Sequence, residues 1–230
     1  MEMSYRIVQT LENTFGVDIH SASDELLYKA IAIILKEQLA EERKRFIAHC
    51  DSSGRKRVYY LCMEFLMGRS LRNNLYNMRL YEPTQKALES FGINLERLFD
   101  QEPDAGLGNG GLGRLGACFL DALSNEEIPA TGYSICYEYG IFRQKIVDGW
   151  QTERPDNWLP GGEVWLRRRE DQTVEVHFGG ELKEFWDRDY HHVSHTLSLI
   201  HIYRIFLLDP PMVAQKDGRD CNEICGYSRK

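Results

Sequence analysis

The chain has 230 residues, of which 43% are hydrophobic and 27% charged, and its formal net charge is −7 at pH 7. This composition is typical of a globular protein with enough apolar residues to form a core. An acidic chain without a long basic run is not expected to bind nucleic acid or an anionic membrane surface.

No membrane segment and no disulfide framework are expected. The most apolar late stretch, residues 197–208, is interrupted by His201 and Arg204 and is shorter than the roughly 20 residues that span a bilayer. The first residues lack the pattern of a signal peptide. Because the six cysteines are scattered, we expect a cytoplasmic protein in which Cys62 and Cys118 are reduced core residues.

Two helices are predicted at the start of the chain. The first is short and peripheral, ends near Gly16, and has apolar residues three or four positions apart at Ile7, Leu11 and Phe15. The second runs from about residue 23 to about residue 49 and carries one apolar stripe. Ser21 and Asp24 resemble a capping box at its start.

A strand is predicted after the long helix. Residues 58–63 are apolar on both faces, which is expected of an interior strand in a sheet covered by helices. A long helix followed by such a strand favours the α/β class. Further helices are predicted over residues 70–77, from Pro83 to Gly92, and over residues 95–99 with Asn94 as the cap.

A glycine run is the most distinctive local feature of the sequence. Five of the eight residues from Gly106 to Gly113 are glycine, and a helix is predicted directly afterwards. Its predicted apolar face comprises Leu112, Leu115, Phe119 and Leu123. Unpaired N–H groups at a helix start attract anions, so we infer that this loop binds a phosphate. The alternative is that the glycines only permit tight packing of helix on sheet.

The glycine run also matches a dinucleotide motif. Gly106, Gly108 and Gly111 fit the pattern G-x-G-x-x-G, but the preceding residues are acidic and helical rather than an apolar strand. No Lys-Ser or Lys-Thr follows the glycines, so the run is not a P-loop. A nucleotide-dependent oxidoreductase is therefore the weakest of the functional hypotheses.

Three other groups of residues are candidates for chemistry. The first group consists of carboxylates that could act as acids or bases or could be ordinary surface residues: Glu102, Asp104, Glu126 and Glu127. The second group consists of aromatic residues that could either stack on sugar rings or fill a core: Tyr133, Trp150, Trp158 and Trp165. The histidine cluster comprises His191, His192, His195 and His201, and its spacing does not favour a metal site.

The later part of the chain predicts strands. Residues 130–137 and 142–146 alternate in the manner of a hairpin around residues 139–140. A loop rich in Trp, Pro and Gly follows at residues 155–162, and another strand is predicted over residues 173–178.

Three stretches, in order along the chain, resemble the N-terminal domain of glycogen (α-glucan) phosphorylases. They are VYYLCMEFLMGR at 58–69, DAGLGNGGLGRL at 104–115, and YEYGIFRQK at 137–145 followed by GWQ at 149–151. The resemblance covers residues 20–195 and implies an α/β fold, an incomplete N-terminal Rossmann-like (GT-B type) domain of a two-domain glycosyltransferase. It divides the chain into an N-terminal segment (1–20), a partial domain (21–195) and an unmatched tail (196–230), which we expect to be chimeric or disordered.

The resemblance also implies a reaction. Glycogen phosphorylases cleave the terminal α-1,4 bond of a glucan with inorganic phosphate, release glucose 1-phosphate, and use pyridoxal 5′-phosphate, whose phosphate is the acid–base group. Carried over to this sequence, the amides of Gly110 and Gly111 bind phosphate, and Asn109 and Leu112 line the glucose site. This fragment is expected to contain no catalytic side chain and no metal ligand. Its partners by family are the α-1,4-glucan, phosphate and glucose 1-phosphate, and full-length members are expected to be homodimers.

The sequence departs from the family pattern in several places. The lysine that holds the cofactor lies in a second domain, downstream of this chain, so the fragment is expected to be inactive alone. Leu66 stands where the family often has a tyrosine near the cofactor. Residues 162–165 read Gly-Glu-Val-Trp instead of Gly-Asn-Pro-Trp. The alternative hypothesis is a non-catalytic glucan- or phosphate-binding module.

Overall fold

The computed structural model describes residues 2–108, 110–135, 137, 139–140, 142–157, 164–166, 183–188, 190–194 and 206–208. The helices within these residues are α1 (Met3–Thr10), continued by a π-helical turn (Leu11–Phe15), α2 (Asp24–Ser52), α3 (Leu71–Asn77), α4 (Tyr81–Glu89), α5 (Leu95–Phe99) and α6 (Gly111–Asn125). The strands are β1 (Val58–Leu61), β2 (Phe65–Gly68), β3 (Ala105–Leu107), β4 (Ala130–Ser134), β5 (Arg143–Val147), β6 (Trp150–Arg154), β7 (Lys183–Asp187), β8 (Tyr190–Ser194) and β9 (Phe206–Leu208).

The helices α1, α3, α4 and α5 pack with the long helix α2 into one helical body. Ile7 and Leu11 are completely buried in its core, so the prediction of a peripheral first helix was wrong. The apolar periodicity was read correctly, but the sequence does not reveal how many neighbours such a stripe meets. The predicted stop at Gly16 is confirmed, because this residue ends the π-helical turn with a φ of 66°.

The helix α2 begins close to the predicted residue 23, but its capping residue lies two positions after the predicted Ser21. The N-cap is Ser23, whose Oγ accepts a hydrogen bond from the amide of Leu26 at 3.3 Å. Ser21 does not cap the helix, since its hydroxyl donates to the carbonyl oxygen of Asp18 at 3.0 Å. The predicted capping box is therefore wrong, although the helix itself is confirmed. Asn94 caps α5 as predicted, accepting from the amide of Glu96 at 2.8 Å.

The strands confirm a mixed α/β chain. β1 pairs in parallel with β4, with Val58 opposite Ala130 and Leu61 opposite Tyr133. Helix α6 packs on both β2 and β4. The short strand β9 pairs antiparallel with β4, so these three residues of the predicted tail add to the same sheet.

The prediction that the first strand is buried on both faces was wrong. Tyr59, Leu61 and the nearby Met63 are exposed, whereas Val58 and Tyr60 are half-buried. Successive side chains of a strand point to opposite faces, and within the described residues the second face of β1 has no covering element.

The predicted hairpin around residues 139–140 was also wrong. β4 takes β1 as its partner, and the hairpin instead joins β5 to β6 around Asp148 and Gly149, which have φ values of 52° and 82°. A second hairpin joins β7 to β8. The predicted strand at 173–178 and residues 158–162 of the predicted loop lie outside the described residues.

Two cysteines do not have the predicted environment. Cys118 is exposed on α6 and Cys62 is half-buried, while Cys50 is the buried one of the three, all of which are free thiols. The sequence around Cys118 is apolar, but the buried face of α6 is formed by Gly113, Gly116, Ala117 and Leu120, and Cys118 lies outside it. Among the described helices, none combines the length and apolarity needed to cross a membrane.

Candidate functional site

The glycine run connects a strand to a helix. It begins in β3, turns through Gly108 with a φ of 131°, and reaches Gly110, the N-cap of α6, with a φ of 155°. Side chains disfavour such positive φ values, so the turn requires glycine at these positions. The carbonyl oxygen of Gly110 accepts a hydrogen bond from the amide of Arg114 at 2.9 Å, which closes the first helical turn.

The start of α6 presents free N–H groups. Among the described residues, the amides of Gly110, Gly111 and Leu112 donate no hydrogen bond. A Cβ added to Gly110 or Gly111 would meet no atom within 4 Å, so the space beside them is open. A helix of 15 residues adds the positive end of its dipole here. This arrangement is suited to receive an anion.

Other glycines of the run lie against the sheet. A Cβ at Gly113 would lie 3.1 Å from Leu66 Cγ and 3.2 Å from the carbonyl oxygen of Leu107. A Cβ at Gly116 would lie 3.3 Å from the ring of Phe65. These residues support the packing alternative, because only glycine lets α6 approach β2 and β3 so closely.

The predicted apolar face of α6 is turned outward. Leu112, Leu115 and Phe119 are 53%, 50% and 47% exposed, and Leu123 is half-buried. The face that packs on the sheet consists of Gly113, Gly116, Ala117 and Leu120. An apolar face usually packs on the core. In α6 the small residues pack on the sheet instead, because they allow the closest contact while contributing little to an apolar pattern.

Glu64 lies directly beneath the glycine loop, and sequence reasoning gave it no role. A Cβ added to Gly108 would lie 2.5 Å from Glu64 Oε2. Glu64 belongs to the motif at residues 58–69, which was the available signal. An ionised carboxylate at this position suits a hydroxyl donor better than a second anion.

Leu66 and Arg114 complete the immediate surroundings of the loop. The carbonyl oxygen of Leu66 accepts a hydrogen bond from Arg114 Nη1 at 3.5 Å. The Leu66 side chain lies 3.3 Å from the position of a Cβ on Gly106, its partner in the β2–β3 ladder, so it covers this glycine. Arg114 therefore brings a cation into the first turn of α6.

Glu102, predicted as a possible acid or base group, is buried. It is 3% exposed and accepts hydrogen bonds from the amides of Ser70 and Leu71, both at 2.8 Å, and from Trp165 Nε1 at 3.0 Å. Burial raises the pKa of its carboxyl group, and these donors together with the Arg69 charge oppose that rise. Because Glu102 is buried and both of its carboxylate oxygens accept protein N–H groups, its contacts support a structural role.

The remaining carboxylates and aromatic residues do not converge on the loop. Asp104 lies 3.6 Å from Arg69, and Glu126 and Glu127 follow the far end of α6. Trp150 is exposed at the β5–β6 hairpin, and Trp165 packs against the helical core.

Tyr133 and the histidines lie in other places. The ring of Tyr133 lies 6.0 Å from that of Tyr59. His191 and His192 are consecutive on β8, so they point to opposite faces, where they stack on Trp186 and Phe185. Trp158, His195 and His201 lie outside the described residues, and the described ones contain no group of three or more potential metal ligands.

The structure brings together three of the four predicted site residues. Gly110, Gly111 and Leu112 are consecutive at the start of α6, and the Leu112 side chain is exposed beside them. Asn109 lies outside the described residues.

Comparisons with known proteins identify relatives for most of the chain. The family model for carbohydrate phosphorylase matches residues 88–205, just over half of the chain. Glycogen phosphorylase of Saccharomyces cerevisiae is 42% identical over 188 residues, which are 76% of this chain and 21% of that protein. The enzyme of Chlamydia trachomatis is 46% identical over 167 residues (73% and 20%), and the muscle form of Homo sapiens is 40% identical over 195 residues (85% and 22%). The chain thus spans about a fifth of the length of these relatives.

Proposed function

This chain belongs to the carbohydrate phosphorylase family, and we propose that it supplies one wall of the active site of a glycogen phosphorylase. That enzyme would transfer a terminal glucosyl unit of an α-1,4-glucan to inorganic phosphate and release glucose 1-phosphate. The observation that carries this proposal is the open start of α6, where the amides of Gly110, Gly111 and Leu112 have no partner among the described residues.

Each of the loop residues has a proposed role. The amides of Gly110 and Gly111 donate hydrogen bonds to a phosphate, because glycine lets a dianion approach the main chain without a side chain in between. Asn109 and Leu112 line the glucose site next to it. The fragment contributes no catalytic side chain and no metal ligand.

Pyridoxal 5′-phosphate is the cofactor of this family, and the glycine loop is suited to bind a phosphate group such as the one it carries. Open amides at a helix start fit a phosphate group, while the lysine that would hold the pyridoxal ring comes from outside this chain. When bound, the cofactor supplies an acid–base phosphate beside the substrate phosphate. The glycine loop would orient and desolvate these anions, and Glu64 would accept a hydrogen bond from a sugar hydroxyl.

Removing a single N–H group tests the phosphate role. Gly111 is the first residue of α6, a position that tolerates proline, so Gly111→Pro deletes the donor without breaking the helix. Gly111→Ala keeps the N–H group and adds a methyl group with no protein neighbour within 4 Å. A hydrogen bond to a charged group contributes about 1.5–3 kcal/mol, so phosphate affinity should fall at least about tenfold in Gly111→Pro and little in Gly111→Ala.

The measurement is a phosphate titration of the purified chain followed by NMR, with chloride at equal ionic strength as the control anion. Equal affinity of the wild type and Gly111→Pro, or no phosphate binding by the wild type, would remove the loop from the proposed site.

Activity provides a second test. The purified 230-residue chain should release no glucose 1-phosphate from glycogen and phosphate, because the cofactor lysine is supplied from elsewhere. Detectable phosphorolysis in a coupled assay would refute this. Co-sedimentation with glycogen then distinguishes a chain that still binds glucan from one that does not.

The finer fold and domain assignments are also part of the proposal. We propose that residues 21–195 form the Rossmann-like, GT-B type domain, preceded by the segment 1–20 and followed by the tail 196–230. The parallel β1–β4 pair with α6 packed on β4 supports this fold. Limited proteolysis with mass spectrometry tests the boundary near residue 195, since cleavage that starts inside 21–195 would contradict it.

We further propose that the full-length protein is a cytoplasmic homodimer that does not act on nucleic acid. The free thiols of Cys50, Cys62 and Cys118 are suited to a reducing compartment, and a net charge of −7 disfavours nucleic acid. Sedimentation velocity of the full-length protein tests the dimer, and a monomer at micromolar concentration would contradict it.

A further inference from the structure

Glu102 lies between α5 and β3 in the sequence, and its carboxylate side chain is buried. It is 3% exposed, and three N–H groups converge on its carboxylate at 2.8–3.0 Å. A buried carboxylate is unfavourable unless such donors surround it. The described structure therefore holds Glu102 in one place, and Glu102 in turn holds its three donors.

Two of the donors are the first amides of a helix. Ser70 is the N-cap of α3, but its own side chain makes no capping hydrogen bond. Glu102 takes over this function from 31 or 32 residues away, binding the Leu71 amide with Oε2 and the Ser70 amide with Oε1. Negative charge at a helix start is stabilising, so the contact fixes the beginning of α3 to the chain that leads into β3.

This contact closes one end of the β2–β3 ladder. β2 and β3 are antiparallel, with Gly68 opposite Ala105 and Phe65 opposite Leu107. Glu102 lies just before β3 and binds residues just after β2, at the end where Gly68 and Ala105 pair. The other end, at Leu107, leads directly into the glycine loop. A shift of β3 along β2 would therefore be transmitted to Gly110 and Gly111.

Arg69 and Trp165 strengthen the same connection. Arg69 Nη1 donates to the carbonyl oxygen of Phe99 at 3.3 Å, and its Nε lies 3.6 Å from Asp104. Trp165 donates to Glu102 and packs against the helical core. The buried Tyr28 of α2 belongs to this core. Glu102 thus links the β2–β3 ladder to the body of the protein.

We propose that Glu102 is a positioning residue, whose carboxylate fixes β3 relative to α3 and Trp165 and so holds the glycine loop in its anion-binding geometry. The effect on phosphate binding rests on the proposed function. The effect of Glu102 on the conformational stability of residues 105–113 does not depend on it.

The test compares three variants of the full chain. Glu102→Gln keeps the shape but turns an NH₂ group towards N–H donors, so at least one of the three hydrogen bonds is lost. Trp165→Phe keeps an aromatic side chain and the Glu102 carboxylate but removes one donor. Glu126→Gln is the matched control, because Glu126 is exposed and follows the far end of α6.

Two readouts are needed for each variant. Phosphate affinity should fall about tenfold in Glu102→Gln and about threefold in Trp165→Phe, in line with the loss of charge-assisted hydrogen bonds. Hydrogen exchange should accelerate in peptides covering residues 105–113, while peptides within α2 keep their protection. The control should match the wild type in both measurements.

The outcomes separate the inference from the proposed function. If wild-type protein binds no phosphate, the proposed function fails, and exchange at residues 105–113 alone decides whether Glu102 positions the loop. If Glu102→Gln lowers stability but leaves the affinity within twofold and the exchange at 105–113 unchanged, Glu102 is merely structural and the inference is overturned. If Glu102→Gln does not fold, Trp165→Phe decides, and wild-type behaviour of that variant overturns the inference.

Discussion

Replacing Gly113 by alanine measures how tightly α6 is seated on the sheet. The new Cβ would lie 3.1 Å from Leu66 Cγ, 3.2 Å from Glu64 Cβ and 3.2 Å from the carbonyl oxygen of Leu107. Leu66 and Glu64 are approached near their main chains, so a change of rotamer does not relieve the contact. The Leu107 oxygen is part of β3 itself. The helix or the strand therefore has to move by a few tenths of an ångström.

Two opposing effects determine the magnitude. Alanine favours a helix interior over glycine by roughly 1 kcal/mol, since glycine loses more backbone entropy. Overpacking of a well-packed interior costs about 1–3 kcal/mol. Because three atoms are contacted at once, and one belongs to a strand, we expect the upper part of that range. Gly113→Ala should then lower the free energy of unfolding by about 2 kcal/mol.

The assay is thermal and urea unfolding of the purified chain, followed by circular dichroism. A loss of this size lowers the Tm of a chain of this length by about 4–8 °C. Gly111→Ala is the matched control, because its Cβ has no neighbour within 4 Å and it should be at least as stable as the wild type. The reasoning is refuted if Gly113→Ala proves as stable as Gly111→Ala.

Three further predictions concern stability. Ser23→Ala should cost about 1 kcal/mol in urea unfolding because it removes the N-cap of α2, and an equal loss in Ser21→Ala would contradict this assignment. Leu120→Ala should lose about 2–5 kcal/mol by leaving a cavity under α6, whereas the half-exposed Leu115→Ala should lose clearly less; similar losses would mean that the wrong face of α6 was identified. Burial raises the pKa of Glu102, so the folded state binds its proton more tightly than the unfolded state does. The stability of the wild type relative to Glu102→Gln should therefore fall as the pH rises from the ordinary glutamate pKa to the pKa of Glu102 in the folded state, and then level off. A relative stability of the wild type that increases with pH in urea titrations would exclude this.

Local signals were sufficient where structure depends on neighbours in sequence. Asn94 was predicted to cap α5 and does so through a contact two residues away. The glycine run was predicted to open a helix, and α6 begins at Gly111. Both follow from the geometry of a single chain segment, in which capping side chains and positive φ values have few alternatives.

Contacts between distant residues explain what was missed. Glu102 was predicted to be an acid or base group or a surface carboxylate, but its burial depends on donors 31 to 63 residues away. β4 was assigned to a hairpin with its successor, yet it pairs with β1, which lies 72 residues earlier in register. The sequence identified the apolar stripe of α6 but not the face that packs on the sheet, because hydrophobic periodicity counts large side chains and gives no weight to Gly113 or Gly116.

The glycine run satisfies two demands at once, and they fall on different residues. On the inner side, Gly113 and Gly116 matter for the missing Cβ, since the atoms of β2 and β3 occupy the space that a methyl group needs. On the outer side, Gly110 and Gly111 have free space around them, so the relevant group there is the N–H rather than the missing side chain. The packing interpretation and the phosphate interpretation are therefore compatible. Alanine at 113 should damage stability, whereas proline at 111 should damage anion binding, and only the second effect bears on the chemistry of the site.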